Sequence, residues 1–404
     1  MPTAAVNSSY RQVLRHRPLA LLLSGDALSK VGDGMIVVAL PLLTLRIHAG
    51  VGAAIAVALI EAAPSTLSVP LSLVLGLSRW RFPPRASIVV DCLTRAVIFN
   101  AIGILAFTGA LRLWLLGVAL TGGSVLRLLA ASSRRLLATG MADADGRFAI
   151  NGLLGTSDAL AAYVAGPVLG GLLSTATSPG FVLLLDGCSF LALLAVVLFT
   201  APQAKSTVDD KTRSGWAILR RTPAVAAFCT VVFLFNFFYM PVEVALPLLV
   251  RGPLHASGAA LGQIWTGFGV GALVGALATN QLRRLPQTML CVCIIAGWGA
   301  CVLLLATATD VPVAACALAV GGLIYAPFTP VAYSLVQAAL APDEQLPVLT
   351  LWAAVSSVAA PIGLVLAGPL IQATGLRPAL VVSATLTLAL APAAAIILRR
   401  RGMR

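Results

Sequence analysis

Apolar runs of about twenty residues or more, separated by short polar stretches, recur along the chain. A helix rises about 1.5 Å per residue, so a run of that length suffices to cross the hydrocarbon of a bilayer. Twelve such runs begin near Leu19, Val51, Ala86, Leu113, Phe148 and Phe181, then near Val225, Ala259, Thr288, Val311, Leu346 and Pro378. The pattern predicts an all-α membrane protein of twelve transmembrane helices. The longest polar stretch, Ala201 to Thr222, follows the sixth run and includes an amphipathic Trp216 to Arg221 suited to the membrane surface. It sets a six-helix bundle over 1–200, a linker over 201–222 and a second six-helix bundle over 223–404. Each half carries arginines between its second and third runs: Arg79, Arg81 and Arg85 in one, Arg283 and Arg284 in the other. Two pseudo-symmetric bundles around a midplane site are what alternating-access transporters use.

Charge changes the picture in one respect. Of 404 residues 59% are hydrophobic and only 10% charged, yet 27 basic against 14 acidic side chains leave a net +13. A nucleic-acid binder gathers Lys and Arg on one folded face, whereas here they recur in the loops, so no nucleic-acid partner is expected. With the N-terminus inside, cytoplasmic segments hold twenty of the 27 basic residues, Arg134 and Arg135 among them. The opposite face holds Arg46, Arg112, Arg251 and Arg377. Both termini are therefore expected in the cytoplasm. Arg11, Arg15 and Arg17 ahead of Leu19 to Leu23 superficially suggest a signal peptide, but Asp26, Lys30 and Asp33 interrupt it and no cleavage site follows, so the segment is expected to be retained.

The seven cysteines lie in or beside apolar runs and read as small buried hydrophobes. Cys291 and Cys293 point to nearly opposite sides of a helix, against a metal or redox pair. There is no G-x-x-x-x-G-K-S/T phosphate loop and no H-E-x-x-H zinc motif, and His16, His48 and His255 sit in flanks or loops. No cofactor, no metal and no enzymatic activity are expected.

The fifth run contains Gly166-Pro167-Val168-Leu169-Gly170-Gly171. Around it, in order, stand Gly32-Asp33, Asp91 with Arg95, Ala149-Ile150-Asn151, Gly215 to Pro223, Leu246-Pro247-Leu248-Leu249, and Gln337 through Pro342-Asp343-Glu344. In these pieces the chain resembles, over almost its whole length, the major facilitator superfamily, and within it the drug:proton antiporter branch that includes macrolide-efflux and siderophore (enterobactin) exporters. The resemblance implies two six-helix bundles in a bacterial inner membrane, a monomer, and multidrug-type efflux coupled to protons. The chain departs from the family between spans two and three, where Gly76 to Arg85 has no aspartate beside its arginines, and after span ten, where Gln345-Leu346-Pro347 replaces a Gly-Arg pair. Arg79 and Arg85, with Asp91 and Arg95, are the residues left for gating or packing there.

Ionisable side chains inside a bilayer are expensive and mark a function or a buried pair. Ten fall within the predicted spans, nine of them in the first half: Asp26, Lys30, Asp33, Glu61, Asp91, Arg95, Arg127, Asp158 and Asp186. Glu243 is the tenth. Asp26, Lys30 and Asp33 share one helical face. They form either an ion-paired ladder within the helix or a set whose surplus carboxyl, Asp33 rather than Asp26, exchanges a proton. Glu61 lies near the midplane with Pro64 beyond it and is expected to rest neutral, as a proton carrier, a cation-recognition group or a hydrogen-bonding one. Arg127 is either a counter-charge for these acids or a span-end anchor. Asp91, Arg95 and Asp186 are expected near span ends, paired or capping.

Asp158 shares a face with Asn151, Gly155, Ala162 and Gly166, and the eighth span offers Gly267, Gly271 and Gly275; such small-residue stripes admit a close helix and are expected to form the seam between halves. In the seventh span Phe233, Asn236, Met240 and Glu243 recur at helical spacing as a possible ligand wall, with Phe235 and Phe238 directed to lipid. Tyr325, Phe328 and Trp352 are the alternative pocket. Together these features predict a secondary transporter that exports a lipophilic or cationic small molecule, a drug, natural product or siderophore, in exchange for protons. The competing reading is proton-coupled uptake or facilitated diffusion of a metabolite.

Overall fold

The computed structural model describes residues 15–77, 83–141, 144–200, 215–282 and 284–400, and all regular structure among them is helical. Arg79, Arg81 and Arg283, together with 201–214 of the expected linker, lie outside the described residues.

The first helices are α1 (Arg17–Ile47), α2 (Ala53–Leu77) and α3 (Pro84–Phe107). The run predicted as the fourth span is divided into α4 (Leu113–Gly123) and α5 (Arg127–Gly140), since Gly122-Gly123-Ser124 are poor helix formers. The fifth span is α6 (Ala144–Leu160), a π-helical turn (Ala161–Ala165) and α7 (Gly166–Ala176), and α8 (Pro179–Thr200) follows. The π turn has a cause: Pro167 has no N–H to give, so the ladder is interrupted there, and the Gly166 N–H reaches back to the Ala161 carbonyl instead. The short surface helix α9 (Gly215–Arg221) keeps Trp216 exposed and buries Ile218 and Leu219, as its amphipathic pattern requires. Then come α10 (Pro223–Arg251), α11 (Gly258–Leu282), α12 (Gln287–Thr307), α13 (Val311–Tyr325), α14 (Phe328–Ala338), α15 (Pro342–Thr374) and α16 (Leu376–Arg400). Proline in the first turn of α3, α10, α13 and α15 costs no hydrogen bond, and Asp310 caps α13 through the Val313 N–H at 2.9 Å.

Among the described residues, eleven stretches are long and apolar enough to span a membrane, and α4 is a shorter apolar helix at the place of the remaining one. The twelve-helix, all-α class stands.

The chain forms two compact units, one of Met1–Leu43 with Ala63–Val208, the other of Thr44–Ala62 with Asp209–Arg404. The start of α2 thus packs with the second half of the sequence. At Gly368 of α15 a Cβ would lie 2.8 Å from the Ala58 Cβ and 3.0 Å from the Ile55 Cα. Sequence distance placed this segment with the first bundle, but its small residues fit a glycine of α15.

The glycine stripes, expected at a seam between halves, seat helices of their own halves. In the first unit Gly166 and Gly170 admit the backbone of α1, where a Cβ would lie 2.5 Å from the Gly34 Cα and from the Met35 carbonyl. Pro167 and Gly171 are buried beside them, while Gly155 has open space. In the second unit Gly267, Gly271 and Gly275 receive α13 at Ala315, Ala319 and Leu323. Without a hydrophobic drive between helices in lipid, contact this close is a main source of their association. The cysteines depart from expectation as well: Cys92, Cys229, Cys291 and Cys301 are buried, but Cys188, Cys293 and Cys316 face outward. A thiol is apolar enough to tolerate lipid.

Candidate functional site

The ionisable residues of the first unit assemble into a network that crosses five helices. Asp26, Lys30 and Asp33 do share a face of α1, but they do not form a ladder among themselves. Each faces a different neighbour: Asp26 forms an ion pair with Arg134, its Oδ1 3.2 Å from the Nε, Lys30 pairs with Asp158 of α6, and Asp33 pairs with Arg95 of α3. Neighbours four and seven apart stack along the axis, where like charges and fixed spacing compete, while other helices supply counter-ions at full reach.

Arg134, counted among the cytoplasmic basic residues, is not a loop charge at the surface. It is almost fully buried on α5 and also stands 4.0 Å from Asp91. The break after α4 carries the following helix into the bundle and takes Arg134 with it. Arg127, at the start of α5, is exposed, though within electrostatic reach of Asp33, Asp91 and Asp186.

Asp91, Arg95 and Asp186 are likewise buried inside the bundle. Gly103, Gly180 and Gly187 explain why: there α3 and α8 run so close that a Cβ at Gly103 would strike Leu184, at Gly180 Ala106, and at Gly187 Asn100. This apposition sets Arg95 over the Phe190 ring at 3.9 Å and within 5.6 Å of Phe99, whose ring stacks on Phe190. Arg85, at the start of α3, donates to the Leu198 carbonyl near the end of α8 at 2.7 Å, so this gating candidate acts as a helix clamp.

The second unit is organised by Tyr325. Its ring lies 5.7 Å from Phe235, 5.6 Å from Tyr239, 6.2 Å from Phe268, 5.5 Å from Trp298 and 6.1 Å from Phe328. Its hydroxyl donates to the Asn236 Oδ1 at 3.3 Å. Phe235 is fully buried here, not directed to lipid, and Phe238 is half-buried, edge-on to Phe237, with its carbonyl accepting from Ser383 at 2.5 Å. The four-residue wall predicted on α10 is divided. Phe233 stacks on Phe237 at 6.3 Å, Asn236 is engaged by Tyr325, and Met240 is buried against Gly363 of α15. Trp352 belongs to a separate pair with Tyr333 at 4.4 Å.

Glu243 completes that face, is bonded by Tyr239 one turn earlier, and interacts electrostatically with Glu61 of α2. Helix rise accounts for their meeting. Gly363 meets Met240 and Gly368 meets Ala58; Glu243 stands one turn beyond Met240 on α10, and Glu61 one turn beyond Ala58 on α2, which runs opposite to α15. At about 1.5 Å per residue both carboxyls reach the same level of α15. The Glu61 Oε2 is buried with no hydrogen-bond partner among the described residues.

The arrangement offers two kinds of chemistry: in the first unit, acid–base pairs able to hold or release a proton; in the second, a carboxyl pair beside an aromatic cluster suited to a cation. Sequence reasoning did not single out Tyr239, Phe268 and Trp298, and it set Arg134 in a loop, Asp186 near a span end and Phe235 against lipid. A lone aspartate in a span of mean hydropathy 2.6 was the available sign for Asp186. No group of His, Cys, Asp and Glu suited to a metal ion occurs among the described residues.

No protein-family model matches the chain. The multidrug efflux pump Tap of Mycobacterium tuberculosis is 27% identical over 393 residues, covering 89% of this chain and 88% of that protein. The multidrug efflux pump Tap of Mycobacterium bovis matches to the same extent. Among solved structures, the nucleoside transporter NupG superposes with a TM-score of 0.74 at 12% identity, covering 95% of this chain and 99% of that one. A bacterial metal transporter does so with 0.69 at 17% identity, covering 96% and 99%. The chain shares the fold of these solved transporters and is similar over most of its length to a multidrug efflux pump.

Proposed function

We propose that this transporter exports a lipophilic or cationic small molecule in exchange for protons, by alternating access, from the cytoplasmic (inner) membrane of a bacterium, as a monomer with both termini in the cytoplasm. The observation that carries the reading is that Glu61 and Glu243 interact electrostatically, with Glu243 bonded by Tyr239 of the aromatic cluster. Two carboxyls in a low-dielectric site are stable with a shared proton or with a cation. A cationic substrate and a proton are thus alternative occupants, as exchange demands. Phe233 and Phe237, stacked on the same helix as Glu243, add an apolar, shape-tolerant surface, and a few polar groups among apolar ones bind a ligand without trapping it. The 27% identity to a multidrug efflux pump supports the outward direction.

The test is transport of a fluorescent lipophilic cation in proteoliposomes carrying an imposed pH gradient. Asp33→Asn and Glu61→Gln keep size and hydrogen bonding while removing charge, and each is expected to abolish gradient-driven accumulation in folded protein. Full gradient-dependent transport by both variants would transfer the coupling role to Asp158 or Glu243.

A further inference from the structure

Among the described residues of the first unit, Asp26, Asp33, Asp91 and Asp158 each have an ion-pair partner within 4.0 Å, and Asp186 has none. Yet Asp186 is the most deeply buried of the five, with 0% of its surface exposed. Its Oδ1 receives a long hydrogen bond from Ser189 at 3.4 Å, and its Oδ2 has no partner. The carboxyl lies directly on the α1 backbone at Gly32, the residue before Asp33: a Cβ at Gly32 would overlap it and approach the Ser189 Oγ to 2.8 Å. Arg95, which lies over the Phe190 ring one turn along α8 from Asp186 and interacts electrostatically with it, donates to Asp33 through Nη2 and has an Nη1 buried without a partner. One acceptor and one donor are therefore left unfilled within a single trio. An unpaired charge in such surroundings is far costlier than a neutral acid.

We infer that Asp33, Arg95 and Asp186 form one proton-binding site, in which the Arg95 guanidinium is shared between two carboxyls and the proton resides on whichever of them it does not hold. In the present arrangement Arg95 holds Asp33 and the proton is on Asp186. When the Asp186 O–H bond breaks, the proton leaves to water and the new carboxylate competes for the free Nη1 of Arg95, loosening Asp33 on α1 from α3. Phe190 keeps the guanidinium in place through its ring face during the exchange. Charges acting on the trio are Asp26 on α1, Asp91 on α3 and Arg127 and Arg134 on α5, with the pair of Lys30 and Asp158 next to Asp26. All of these acids except Asp186 have ion-pair partners of their own.

The inference rests on the proton-coupled reading above, but its test does not need transport. Infrared spectra of the purified full-length protein in lipid nanodiscs report the C=O stretch of each protonated carboxylic acid. Removing either carboxyl leaves one acid and one guanidinium, a neutral pair that binds no proton. Asp33→Asn is therefore expected to lose one acid band even though Asp186 is still present, and Asp186→Asn to lose the same band. Ser189→Ala, a milder change for use where a charge variant does not fold, is expected to shift that band. Retention of every wild-type acid band in Asp33→Asn, or an unshifted spectrum in Ser189→Ala, would overturn the shared site. Wild-type transport that ignores the pH gradient would overturn the coupling reading instead, with the bands still deciding where the proton sits.

Discussion

The guanidinium of Arg95 lies 3.9 Å from the centre of the Phe190 ring while one of its nitrogens donates to Asp33. One side chain thus ties α3 to α1 by charge and to α8 by a ring face. A flat cation can do both, and an ammonium cannot. Arg95→Lys is expected to keep the charge but lose the stack, lowering thermal stability in detergent modestly. Arg95→Ala leaves the Asp33 carboxylate buried alone and is expected to cost about 3–5 kcal/mol. The pair Arg95→Ala with Asp33→Ala should recover part of that loss. A double variant no more stable than Arg95→Ala would mean that the two residues are not coupled.

Lys30 and Asp158 are paired across α1 and α6. Exchanging the charges, Lys30→Asp with Asp158→Lys, is expected to restore monodisperse elution on size-exclusion chromatography where each single reversal disrupts it. Single reversals that behave as wild type would show that the contact contributes nothing to folding.

Gly166 and Gly155 occupy one stripe but differ in surroundings: a Cβ at Gly166 would lie 2.5 Å from the Gly34 Cα, and at Gly155 nothing lies within 4 Å. Gly166→Ala is expected to force α7 off α1 and reduce the yield of folded protein strongly. Gly155→Ala should be neutral or slightly stabilising, since alanine is the better helix former by about 1 kcal/mol. Equal melting temperatures for both would refute the close approach.

Tyr325 is the hub of the aromatic cluster and the donor to Asn236. Tyr325→Phe removes only the hydroxyl, for an expected loss of about 0.5–1.5 kcal/mol. Tyr325→Ala opens a cavity at the expected scale of about 3–5 kcal/mol. Tryptophan fluorescence from Trp298, 5.5 Å away, should change in the alanine variant and hardly at all in the phenylalanine one.

The orientation is open to direct chemistry. In a cysteine-free background, a cysteine placed at Ser206 is expected to react with a membrane-impermeant thiol reagent only when the cytoplasmic face is exposed. Labelling from the outside of intact cells would reverse the proposed topology.

The number and character of the membrane helices, and the segments from which a protonatable network could be drawn, were decided by composition and periodicity alone. A bilayer imposes a minimum apolar length and penalises every charge within it, so both features are written locally in the chain. The Gly166 to Gly171 stretch was legible for the same reason, because only glycine permits backbone contact. Partnership was not legible. Asp26, Lys30 and Asp33 looked like one another's neighbours by spacing, but their counter-ions come from α5, α6 and α3, up to 128 residues away. Glu61 looked solitary until α15 brought it level with Glu243. Phe235 looked lipid-facing because a helix in lipid has no polar face to mark its inside, and only the arrival of Tyr325 and Phe328 closed that side. Which charge meets which, and which ring is buried, depend on the approach of helices distant in sequence, and only the tertiary structure decides that.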